Sequence, residues 1–181
     1  MTEYALILYF DNETTTRFQS LIGIAENACS NSYMTKPAVI PPHVTICYFK
    51  TESIDMVIPL IENKISNISQ GTLSWASLGA FSYSTLFATP VLNEYLLEIC
   101  TVFNDLLINH VDLVDYYKPF SWMPHTTLAT KLTKEHMLFE FESVISEFTP
   151  LVGTTTHLSL VRCERFSELK TWELQRGETV E

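Results

Sequence analysis

Glycine is scarce in this chain, with five in 181 residues. A glycine-rich loop to cradle a phosphate has little to be built from, and neither G-x-x-x-x-G-K-[ST] nor G-x-G-x-x-G occurs. Positive charge is short as well: 11 Lys and Arg stand against 21 Asp and Glu, a formal net charge of −10. Duplex binding needs a basic face that tracks the phosphates, so a protein that coats DNA or RNA is excluded. A small anionic ligand is not, since it needs only a favourable spot inside a cleft. No apolar run is long enough to cross a bilayer, so no membrane partner is expected. The start, MTEYALILYF, lacks the positive region and cleavage site of a signal peptide. Cysteine pairs are missing too. Cys29, Cys47, Cys100 and Cys163 are scattered without C-x-x-C spacing, as reduced thiols of a cytoplasmic protein would be. H-E-x-x-H and G-x-S-x-G are absent, which leaves no zinc signature and no serine elbow. The expectation is a chain without metal or other cofactor.

What is present is an internal repeat. Pro42-His43-Val44-Thr45 recurs 82 residues later as Pro124-His125-Thr126-Thr127. The order of elements around the two copies matches. In the first half, the apolar run 4–10 reads as a buried strand. A helix over 14–28 follows, with Phe18, Leu21, Ile22 and Ala25 at the spacing of one helix face. The Pro-rich stretch 36–42 delivers the chain extended into a strand over 43–49. A helix over 53–68 follows, kinked or started by Pro59, and a strand over 72–81 closes the half. The second half gives a strand over 84–89, a helix over 92–109, a loop over 112–122 and a strand over 125–129. A helix over 134–147 and a strand over 155–163 complete it. A strand-like piece over 169–175 has no counterpart. One domain over 1–181 is expected, α+β or α/β. Its two β-α-β-α-β lobes lie near 1–81 and 82–165, with an extension over 166–181.

Residues two apart on a strand share a face, so His43 projects with Thr45, and His125 with Thr127. Corresponding strands of two related lobes would set two imidazoles and two hydroxyls across one cleft. That set suits phosphodiester chemistry. One histidine activates the attacking oxygen as base while the other protonates the leaving oxygen as acid. The threonine hydroxyls can donate, at about 2.7 Å, to the oxygens on which negative charge builds. Which histidine takes which role depends on how the substrate lies.

With these residues the chain resembles the two-histidine phosphoesterases, the group of LigT-like RNA cyclic phosphodiesterases and 2′–5′ RNA ligases. The resemblance rests on IPPHVTICYF, on FSWMPHTTLATK, and on the joining segment SLGAFSYSTLFATPVLNEYLLEICTVFNDLL. It implies a bilobal α+β fold, pseudo-symmetric, with antiparallel-dominated sheets facing across a central cleft. It also implies cleavage of 2′,3′-cyclic phosphates or 2′–5′ linkages in a small nucleotide or RNA end. His43, Thr45, His125 and Thr127 would then be catalytic. Many members carry arginine where this chain has Thr130. Alternation along 125, 127, 129 and 131 offers Lys131 as a substitute point charge for phosphate.

Tyr48, Tyr116 and Trp122 are further candidates for the substrate-binding wall, stacking on a base as aromatics do for unpaired nucleotides. Cys47, two positions beyond Thr45, would share its face and is weighed as a nucleophile. The expected partner is a small substrate, with the protein acting as a monomer. The competing function is a binding module that sequesters a phosphorylated nucleotide without turning it over.

Overall fold

The structure, a computed structural model, describes residues 1–28 and 40–176. Cys29 and the stretch 36–39 of the Pro-rich segment lie outside the described residues. No helix among them is long and apolar enough to cross a membrane.

Strand β1 (Thr2–Phe10) is apolar from Tyr4 onward because both its faces are covered there. Leu6 and Leu8 enter the main core, and Ala5 and Ile7 join a smaller cluster with Val161 on the other side. Helix α1 (Asn12–Ala28) buries Phe18, Leu21, Ile22 and Ala25, the face expected from spacing. Asp11 starts it: its carboxylate accepts from Thr14 N at 2.8 Å and from Thr154 N at 2.7 Å. Strand β2 (His43–Thr51) follows, then α2 (Ile54–Ile65), which keeps Pro59 inside rather than starting there. Strand β3 (Thr72–Phe81) turns into β4 (Thr85–Pro90). Helix α3 (Glu94–Leu107) is capped by Asn93. The expected loop over 112–122 contains a short strand β5 (Asp112–Leu113) and a 3-10 turn at Asp115–Tyr117. Then come β6 (Thr126–Thr130), α4 (Lys134–Glu147), β7 (Leu151–Arg162) and β8 (Ser167–Glu173).

The fold is α+β, with four α-helices among the described residues and strands paired antiparallel in the order β5-β2-β1-β7-β3-β4-β6, and β8 on β7. This order maps onto itself under the repeat, with β2 matching β6, β1 matching β4 and β7 matching β3. The third strand of each half does not pair within its own half. Instead β3 pairs with β4, and β7 pairs with β1. Each half therefore donates a strand to the other, and β7 spans the junction by pairing with β3 at its start and β1 further on.

Strand β7 also begins four residues before the expected 155. Pro150 and Gly153 read as connector, yet Gly153 sits within the strand opposite Leu73. A Cβ there would lie 2.0 Å from Thr14 Oγ1, so glycine lets α1 rest directly on the strand. Behind the sheet, Trp75 meets Phe10 and Phe18 edge-on at 4.9 and 5.0 Å and anchors the main core.

Candidate functional site

Each motif strand is bulged directly after its threonine. In the β1–β2 ladder Leu6 faces Cys47 and Ile7 faces Thr45, so Ile46 is the extra residue. In the β4–β6 ladder Leu86 faces Ala129 and Phe87 faces Thr127, so Leu128 is the extra residue. A bulge resets the alternation of faces. Before it, His43 and Thr45 are half-buried on one side with Val44 buried on the other, and His125 and Thr127 repeat the pattern around Thr126. After it, Cys47 and Ala129 turn into the main core, while Tyr48 and Thr130 take the half-buried positions.

Two expectations change as a result. Cys47 does not share the face of Thr45. It is wholly buried, and burial pushes its thiol far above the ordinary value, the opposite of what a nucleophile needs. Position 131 does not follow 125 and 127 by alternation either. Lys131 lies just past β6 with φ at 60°, exposed, and Thr130 holds the place on the wall.

Strands β2 and β6 lie toward opposite ends of the sheet order, yet residues of both line one cavity of about 620 Å³. Its wall carries His43, His125, Thr127, Tyr116, Thr130 and, from positions the sequence did not single out, Ile40, Phe81, Thr85, Ser121 and Met123, with Tyr117 beside them. Thr45 shares the strand face of His43 without being on the cavity wall. Tyr116 is 79% exposed at the rim. Tyr48 stands one layer back. It donates to Glu3 at 2.6 Å and stacks on Tyr117 with ring centroids 5.3 Å apart. Trp122 does not reach the wall; it is buried in the main core.

The two imidazoles are held alike. Nδ1 of His43 lies 2.8 Å from the Pro41 carbonyl, and Nδ1 of His125 lies 2.8 Å from the Met123 carbonyl. A carbonyl only accepts, so each Nδ1 carries a hydrogen and each neutral ring keeps its lone pair on Nε2. Among the described residues neither Nε2 has a hydrogen-bond partner. Proline at 42 and 124 keeps the preceding residue extended, which favours a carbonyl two positions back meeting the ring.

Each ring opens part of its surface to the cavity while the remainder is shut off from bulk water. This dehydration pulls His43 below the ordinary imidazole value, against the Pro41 carbonyl, and a smaller push comes from His125. Burial lowers His125 too, against the Met123 carbonyl. Phe81 and Phe87 pack on the His125 ring at 4.9 and 5.3 Å and fix its plane. Gly79 makes room for that wedge, since a Cβ there would lie 2.5 Å from the Phe87 ring. Behind the second motif, Trp75 Nε1 donates to Thr126 Oγ1 at 3.0 Å and ties β6 to the core. The arrangement offers two imidazoles and the hydroxyls of Thr85, Ser121, Thr127 and Thr130 on one cavity, with aromatic surface at its rim.

Residues 26–165 match the family described as the 2′-5′ RNA ligase superfamily. Among solved structures, Escherichia coli LigT complexed with 3′-AMP is similar over 97% of this chain and 99% of its own, with a TM-score of 0.67 at 13% identity. The protein TT0787 of Thermus thermophilus is similar over 97% and 99%, with a TM-score of 0.63 at 14% identity. Kluyveromyces marxianus Usb1 is similar over 93% and 97%, with a TM-score of 0.51 at 10% identity. At such identities the likeness is one of fold. No curated protein matches the chain in sequence.

Proposed function

Because the chain belongs to the 2′-5′ RNA ligase superfamily, we propose that it is a metal-independent phosphodiesterase acting on nucleotide or RNA-end phosphodiesters. The substrates are 2′,3′-cyclic phosphates or 2′–5′ linkages. The observation that carries this reading is the matched pair of Nδ1 hydrogen bonds, which leaves both Nε2 atoms of His43 and His125 available on one cavity. A module that only binds phosphate has no use for two imidazoles locked in the same tautomer.

With a 2′,3′-cyclic phosphate, one Nε2 takes a proton from water as the oxygen attacks phosphorus. The other, entering protonated, gives its proton to the ribose oxygen as the P–O bond breaks. The product is a monophosphate with a free neighbouring hydroxyl, and the two histidines end with their protonation states exchanged. Both rings sit below their ordinary value when the cavity is free. The bound phosphate anion raises the nearer one, which supplies the acid where it is needed. Thr127, on the cavity wall, donates its hydroxyl to a non-bridging oxygen, replacing part of the lost hydration as charge builds. Tyr116 at the rim offers a face for the base. LigT of E. coli has been crystallised with 3′-AMP and with ATP, which supports a nucleotide ligand for this fold.

The test is turnover of 2′,3′-cyclic nucleotides, 2′–5′ dinucleotides and cyclic dinucleotides in EDTA. Cleavage of either of the first two classes that survives EDTA and falls at least a hundredfold in His43→Ala supports the reading. Binding of a nucleotide with no cleavage of any class contradicts it.

A further inference from the structure

The bulge at Leu128 has a second consequence for the cavity: it brings Thr130 onto the wall that carries His125 and Thr127. Thr130 is the cross-strand partner of Thr85, and the two Oγ1 atoms are 3.4 Å apart. Both side chains are half-buried and both line the cavity. The pair is framed on its outer side as well, where Leu132 N donates to the Ser84 carbonyl at 3.1 Å. Between these bonds the backbone at Lys131 takes a φ of 60°, a conformation that L residues other than glycine seldom adopt. Such backbone persists where its surroundings hold it, and it collects at ligand sites.

A hydroxyl pair at this separation is only loosely satisfied by itself. Each threonine carries one donor and two acceptor lone pairs, and their long mutual contact consumes one donor and one acceptor. What remains on the wall is a neutral patch that can give one hydrogen bond and receive others. A phosphate oxygen needs donors only. A sugar hydroxyl both donates and accepts, and so uses such a patch fully.

We propose that Thr85 and Thr130 form a second polar subsite that binds a free ribose hydroxyl of the nucleotide whose phosphate meets the histidines. This rests on the phosphodiesterase reading for the identity of the ligand. It makes the pair a specificity element, because a site built to hydrogen-bond a hydroxyl is left with unpaired polar groups when the analogue lacks it.

The test uses the full chain and equilibrium binding of adenosine 3′-monophosphate, its 2′-deoxy analogue and its 5′-deoxy analogue. The variants are Thr130→Val and Thr85→Val, which keep the branched shape a strand favours and exchange the hydroxyl for a methyl. The wild type should bind one of the deoxy analogues about tenfold more weakly than the parent nucleotide. Each variant should lose about tenfold on the parent and bind that analogue and the parent alike. A wild type that does not discriminate, or variants that keep the wild-type ratio, overturns the subsite. Turnover of adenosine 2′,3′-cyclic phosphate is followed in parallel. If the wild type shows the expected binding ratios and no turnover, the catalytic reading fails while the subsite stands.

Discussion

Ile46 and Leu128 occupy the same place in their two strands. Each is the extra residue of a bulge, one position beyond the motif threonine. Both are fully buried. The repeat therefore extends below the level of element order, to a backbone irregularity duplicated with the motif. By resetting the alternation, it ends the face shared by the motif histidine and threonine after those two residues and sends the following side chain into the core.

Cys47 is the residue this sends inward in the first half, so its thiol should be dispensable for chemistry. Cys47→Ala is expected to keep kcat/KM within about threefold while losing about 1–2 kcal/mol of stability, as shortening a buried side chain does. Steady-state kinetics beside denaturant unfolding checks both parts. A loss of a hundredfold or more in kcat at full folding would restore the nucleophile.

The pH dependence follows from the direction in which burial moves both imidazoles. In the free protein each lies below the ordinary 6.5. The singly protonated pair is most populated between the two apparent values. A bell-shaped kcat/KM profile with its optimum below about 6.5 is therefore expected. Stability moves in the matching sense. Folded values below the unfolded ones mean that stability fully present above about 6.5 is lost as the pH falls through the folded values. His43→Gln should flatten that loss. A kcat/KM optimum at pH 8 would contradict the assignment.

Gly153 carries a structural prediction. Alanine there would bring its Cβ within 2.0 Å of Thr14 Oγ1, and Thr14 is itself tied to Asp11 at 3.0 Å. Gly153→Ala should cost about 1–3 kcal/mol by pushing α1 off β7. The midpoint of chemical unfolding should fall with an unchanged slope. No change in midpoint would mean that the helix yields at no cost.

That glycine also marks where the sequence stopped being legible. A glycine three residues after a proline reads as a turn, and only the closeness of Thr14, distant in sequence, makes it a strand residue. The bounds of β3 and α4 were readable because β3 is delimited by Gly71 and a hairpin turn, and α4 by the Thr133 cap and Pro150. The pairing of the motifs was readable because tetrapeptide and element order repeat together. The exchange of third strands was not, since a repeat looks the same whether its halves close on themselves or on each other. Thr85 escaped, and Thr130 was passed over for Lys131, because a bulge is a property of the ladder and Leu128 carries no mark of it. Trp122 lies directly before Met123 on the cavity wall, yet its large apolar ring is better sheltered in the core.

In the proposed mechanism His43 and His125 act as one acid–base unit. This is tested most directly by kcat/KM on a cleaved 2′,3′-cyclic nucleotide for His43→Ala, His125→Ala and the double variant. Groups that act together are not additive, so each single substitution should cost about a hundredfold or more, and the double about as much as the worse single. Two losses that multiply in the double variant, or a single variant with wild-type activity, would contradict it.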